Sequence, residues 1–187
     1  MKEAIRHTAV RHFNAHGYEG VKMNRIAEEL GIRKQSLSYH YASKSKLLTD
    51  TYANAVKEEV TFLKSFFERA KSLETKETLI QFLKETQQRY YKHPTVAFLQ
   101  SMSFKAPLET SDLIISYYHE YLHVFKQQIM NLANDPIITC SMEQVATSFI
   151  TLFDGLVIQL VYENAESFHR ASQISFQIFW KGVTYIE

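Results

Sequence analysis

The sequence of 187 residues has one cysteine, three prolines and five glycines. A lone cysteine, Cys140, excludes an intrachain disulfide and reads as a small packing hydrophobe. Scarce proline and glycine leave few chain reversals, and no segment shows the evenly spaced strands and turns of a sandwich or barrel. Long apolar runs are missing as well. The longest, around Gly155 to Tyr162, is far short of a bilayer span. The first residues, Met1 to Val10, carry charges where a signal peptide would be apolar. These absences predict a cytoplasmic chain without a membrane segment. Charge of one sign is also lacking, with 21 Lys and Arg against 20 Asp and Glu, a net +1.

That small net charge is unevenly spread. Residues 1–50 hold nine Lys and Arg against five acids, a balance of +4, and the remainder carries −3. A basic front end on a mildly acidic body points to a polyanion met only by the front end.

Hydrophobic residues recur at helical spacing throughout. The pattern predicts a first helix over Lys2 to His16, carried by Ile5, Ala9 and Phe13 and stopped by Gly17. A second runs from Lys22 to Leu30 and a third from Lys34 to Tyr41, with Leu37 and Tyr41 inward. Gly31 between them suits the left-handed turn that ends one helix and redirects the chain, and Ile32 plugs that turn. Two short helices joined by a tight Gly-containing turn are the helix-turn-helix pattern. Six more helices are expected: Ser43–Ser45 to Lys71, Thr75 to Tyr91, Pro94 to Lys105, Ser111 to Ala133, Met142 to Asn164, and Phe168 to Tyr185. Asn134-Asp135-Pro136 reads as a break.

The eighth helix carries two neighbouring apolar stripes, one including Val145, Phe149 and Leu156, the other Ala146, Phe153 and Val157. The ninth is similarly broad, with Ile174, Phe176, Ile178 and Trp180. Helices apolar around most of their circumference must be buried on most of it, and this pair predicts a subunit interface as well as a core. Phe66, Phe82, Phe98, Met102, Tyr121 and Phe153 fall on apolar helix faces. A pocket lined by them would suit a lipophilic or aromatic ligand.

His119-Glu120-Tyr121-Leu122-His123 fits the zinc-peptidase spacing, two His one helical turn apart with a Glu between them. Helical geometry argues against it. Ile114, Tyr118, Tyr121, Phe125, Ile129 and Leu132 define the inner arc, and His119 and His123 point roughly 110° and 150° away from its centre. A metal-binding protein or metallopeptidase is therefore the distant alternative. No enzyme activity, metal or cofactor is expected. His12 and His16, also four apart, read as a packed and a solvent-edge side chain.

Over Ile5 to Leu48 the chain resembles the tetracycline-repressor (TetR) family of bacterial regulators. The resemblance rests on Ile5, Ala9, Phe13-x-x-x-Gly17-Tyr18, Ile26-Ala27-x-x-Leu30-Gly31-Ile32, Leu37-x-x-His40-Tyr41 and Ser43-Lys44-x-x-Leu47-Leu48. Asp154-Gly155-Leu156 resembles a recurrent element farther on. The resemblance implies an all-α homodimer: a three-helix helix-turn-helix DNA-binding head, residues 1–45, and a six-helix ligand-binding and dimerisation body, residues 46–187. The last two helices would form the dimer interface. It also implies repression of a palindromic operator, released by a small-molecule effector. Control by a protein partner or by expression level is the alternative. The chain departs from the family pattern at His12 (usually Leu), at Lys22 and Arg33 (usually Ser or Thr), at Gln35 (often small) and at Ser38 (usually Tyr).

In a helix-turn-helix the second helix enters the major groove and its exposed side chains reach base edges. Here those are Lys34, Gln35, Ser36, Ser38 and Tyr39. Gln can pair with adenine and Lys with guanine acceptors. Lys22, His40 and Lys44 stand at helix ends, suited to phosphates, and Arg33 could join either set.

Overall fold

Two glycines bend the first third of the chain. Gly17 has φ 61° and Gly31 φ 65°, a region that residues with a Cβ rarely adopt. The computed structural model describes residues 1–133 and 135–184. Asn134 of the expected break and Tyr185 at the expected end of the ninth helix lie outside the described residues.

Within them the chain forms nine α-helices and no strand: α1 Lys2–Gly20, α2 Met23–Glu29, α3 Lys34–His40, α4 Lys44–Arg69, α5 Thr75–Lys92, α6 Pro94–Phe104, α7 Ser111–Met130, α8 Met142–Tyr162 and α9 Ala165–Thr184. Short 3-10 turns at Ala70–Ser72 and Leu108–Thr110 close α4 and open α7. Gly17 interrupts α1 as expected, but the chain resumes helical geometry to Gly20. Pro94 occupies the first turn of α6, where its missing N–H has no consequence. Ser141 caps α8: its hydroxyl accepts from the Gln144 amide at 3.3 Å, and the Gln144 side chain accepts from the Ser141 amide at 2.9 Å. The helix expected from Phe168 begins three residues earlier. Asn164, expected as the tail of α8, instead accepts the amides of Glu166 and Ser167, both at 3.0 Å, and so caps α9.

The chain divides into two compact units. The first comprises Met1–Glu58 and His93–His119, so α6 joins the first three helices. The expected border at 45–46 falls inside this unit. Its core sets Phe13 against Phe98, ring centroids 5.7 Å apart, with Tyr52 edge-on to Phe98 at 6.2 Å. The Tyr52 hydroxyl is paired with Ser103 at 2.8 Å, and Asn14 donates to the Pro94 carbonyl at 2.8 Å. Burying each such aromatic contributes about 1.5–3 kcal/mol.

The second unit comprises Glu59–Lys92 and Glu120–Glu187. Its centre is aromatic. Phe82 meets Phe125, Phe66 and Phe153 with centroids 4.6, 5.3 and 5.6 Å apart. A second cluster stacks Phe176 on Trp180 at 6.1 Å. Glu59 is buried and paired with Arg89, whose guanidinium lies 3.6 Å over the Phe62 ring. The broad apolar surface of α8 is largely explained by packing on α9 and α5, which buries Val145, Ala146, Phe149, Phe153, Leu156, Val157 and Leu160.

Met142–Tyr162 is, by length and composition alone, long and apolar enough to cross a bilayer. Its longest unbroken apolar run is shorter because Asp154, with Thr147, Ser148 and Thr151, interrupts it.

Candidate DNA-binding surface

The turn between α2 and α3 follows from Gly31. With Gly31 left-handed, its amide bonds the Glu28 carbonyl at 3.0 Å and the Ile32 amide bonds the Ala27 carbonyl at 3.0 Å. These two bonds satisfy the last carbonyls of α2 and reverse the chain. Ile26, Ala27 and Leu37 are buried beneath the turn, and Tyr41 is buried at the far end of α3. Leu37 is the only buried residue among the seven of α3, so almost everything else on this helix is presented outward.

The Tyr41 hydroxyl donates to Asp50 at 2.6 Å, and Arg6 reaches the same carboxylate oxygen at 3.4 Å. Burial, followed by the Asp50 hydrogen bond and charge, pushes the Tyr41 hydroxyl up to about 12. It therefore stays a donor and holds the end of α3 on α4. Tyr18 is similarly raised to about 12 by burial and by its bond to Glu109. Arg11 and His12 both engage Glu29 and link α1 to α2. Those contacts hold the Glu29 carboxyl below its usual range, with the Arg11 bond the largest cause.

The five side chains expected at base edges, Lys34, Gln35, Ser36, Ser38 and Tyr39, are all exposed, Tyr39 at 87%. Lys22 and Arg33 are exposed beside them. Both occupy the N-cap positions of their helices, α2 and α3, and neither side chain makes a capping bond. His40 is half-buried, its ring edge-on to Tyr39 at 5.5 Å.

Lys44 has a local partner that the sequence did not reveal. Its ammonium donates to the Tyr18 carbonyl at 2.8 Å and lies 4.1 Å from the Tyr18 ring centre, fastening the end of α1 to the start of α4. The surface also contains a cation that the sequence pattern did not single out, Arg25. His16 and Arg25 line a shallow cavity of about 270 Å³ with His12, Gly20 and Lys22. Arg25 could have been found from its place one turn after Lys22 on the exposed face of α2. From Leu30 to Thr49 the chain contains Arg33, Lys34, His40, Lys44 and Lys46 and no acid at all.

The other expected site residues are placed differently. Phe66, Phe82, Phe98, Met102, Tyr121 and Phe153 are all buried. Phe98 and Met102 belong to the first unit and the other four to the second. None of the six lines the two cavities described on the second unit, one between α5 and α9, the other near Ala70 and Leu132. His119, Glu120 and His123 are exposed on α7. Among the described residues no three His, Cys, Asp or Glu side chains gather as a metal site, so the zinc-peptidase reading has no support.

Residues 5–51 match the model of bacterial regulatory proteins of the tetR family. The biofilm operon icaADBC HTH-type negative transcriptional regulator IcaR of Staphylococcus epidermidis is 28% identical over 93 residues. That match takes in 49% of this chain and 50% of the relative, so it spans only about half the relative's length. Among solved structures, a TetR-family transcriptional regulator from Agrobacterium tumefaciens superimposes with a TM-score of 0.74 at 14% identity, covering 98% of this chain and 97% of that one. The transcriptional regulator FadR from Bacillus subtilis, solved with stearoyl-CoA, gives 0.73 at 12% identity over 100% of both chains. These likenesses show a shared fold. Residues 5–51, which hold the helix-turn-helix and the framework residues that build its turn, thus match the tetR family of bacterial regulatory proteins, and the chain as a whole shares the fold of such regulators.

Proposed function

We propose that this protein is a dimeric transcriptional repressor that acts in the cytoplasm on a palindromic operator. The observation that carries this reading is α3: one side chain buried, five presented outward, within a stretch that holds cations and no carboxylate. Lys34, Gln35, Ser36, Ser38 and Tyr39 read base edges in the major groove. Lys22, Arg33, His40 and Lys44 contact phosphates on either side, with Arg25 reinforcing Lys22. Lys44 can do so while holding Tyr18, because an ammonium has three donors.

Two copies pair through α8 and α9. Ile158 and Tyr162 on α8, and Ile174 and Ile178 on α9, remain exposed in the single chain, which supports a partner there. A dimer supplies the two-fold symmetry that a palindrome requires. DNA release follows binding of a small lipophilic or aromatic effector by the body. Phe66, Phe82, Tyr121 and Phe153 of the second unit are the proposed lining there. Phe66, Phe82 and Phe153 are closed ring on ring, so an effector reaching them would replace aromatic contacts with its own.

The test is selection of bound duplexes from a random pool by the full-length protein. The expected outcome is one palindrome, with affinity falling steeply as salt rises. Failure to enrich any sequence would contradict the reading.

A further inference from the structure

The second unit contains a cavity distinct from its closed aromatic core. It lies between α5 and α9, has a volume of about 500 Å³, and falls in the size range of small-molecule sites. Its floor is apolar and already formed: Leu83, Phe168 and Phe176 are buried side chains that border it, with Ile80 alongside. Its rim carries Lys84 and His169, and no carboxylate lines it. No ion pair involves Lys84 among the described residues. Gln87 donates to the Ala165 carbonyl at 2.7 Å, tying α5 to the first turn of α9 at one end of the cleft.

We propose that this cleft binds an amphipathic monoanion, a carboxylate on an apolar chain or ring, with the carboxylate at Lys84 and His169 and the apolar part on Leu83, Phe168 and Phe176. One fixed cation and one imidazole match a single negative charge, and a cationic ligand would meet Lys84 unscreened by any lining acid. The inference rests on the second unit alone. It holds whether or not the aromatic core opens for an effector and whether or not α3 reads DNA.

Trp180 provides a direct readout. It is the only tryptophan in the chain and stacks on Phe176 of the cleft floor at 6.1 Å. Decanoate below its micellar concentration should change Trp180 emission saturably, with one site per chain by calorimetry. Decyltrimethylammonium should not compete. Lys84→Glu should weaken decanoate roughly tenfold by removing the charge-assisted contact, and Gln173→Trp should abolish binding by filling the cleft. Both positions are exposed, and thermal melts of the variants check that the fold is retained. Three results would overturn the proposal: equal binding of decanoate and decyltrimethylammonium, decanoate affinity unchanged in both variants, or no saturable binding together with a dimer that Gln173→Trp disrupts. The last would assign the cleft to a second copy of the chain.

Discussion

Helices α3 and α8 use their sequences in opposite directions. The seven residues of α3 bury Leu37 alone, whereas the twenty-one of α8 bury seven side chains. α3 is a short helix held in place by a turn and two anchors, and its remaining side chains are free to meet something else. α8 is held by its own packing, and few of its positions are free to vary independently of their neighbours. The same contrast separates the helix-turn-helix from the aromatic centre of the second unit. Function should therefore be separable from stability in the first region and inseparable from it in the second.

The largest expected effect breaks the second side of that contrast. Phe82→Ala removes the ring that meets Phe66, Phe125 and Phe153, and should destabilise the protein by about 3–5 kcal/mol in denaturant unfolding. A loss well under about 1 kcal/mol would mean that the aromatic centre is loosely packed.

A smaller and opposite effect is expected at Arg33. It occupies the N-cap of α3 without capping it. Arg33→Ser supplies a capping oxygen and should stabilise the protein by about 1 kcal/mol, while weakening duplex binding by removing a cation. A rise in melting temperature with a fall in affinity would show that this position favours contact over stability. A parallel change in both would remove that distinction.

The smallest effect concerns pH. The Glu29 carboxyl is held below its usual range by Arg11 and His12. A depressed folded value means its stabilisation is present above the ordinary Glu range and lost as the pH falls through the lower folded value. Glu29→Gln should therefore melt below the wild type near neutral pH, and the two curves should converge in acid. Parallel melting curves across that range would show that the link from α1 to α2 contributes nothing to stability.

The helix-turn-helix was largely legible in the sequence because its signals are local. Gly31 has to be left-handed for the turn, Leu37 and Tyr41 fall four apart, and outward residues on so short a helix follow by elimination. The nine helices were legible from periodicity, and the inward arc of α7 correctly left His119 and His123 exposed. Helix ends were less so. Asn164 satisfies an apolar-periodic continuation of α8 and a cap of α9 equally well in sequence, and only the positions of the Glu166 and Ser167 amides decide between them.

Lys44 and the cleft were not legible for a different reason. The partner of Lys44 is the Tyr18 carbonyl, twenty-six residues away, and no property of either residue alone encodes that meeting. The cleft is space left between α5 and α9 rather than a pattern on either. The apolar residues chosen as a pocket lining were read correctly as inward, but a single helix face does not tell a wall of a cavity from a filled core.

Helix α3 is held by Leu37 and Tyr41, and the proposed DNA contact lies in what it exposes. Tyr39→Ala tests that contact most directly, with unfolding free energy and affinity for the selected palindrome measured on the same preparation. Stability is expected within about 0.5 kcal/mol of the wild type and affinity reduced at least roughly tenfold, the loss expected for a side chain contacting DNA. Unchanged affinity with unchanged stability would contradict the proposed contact.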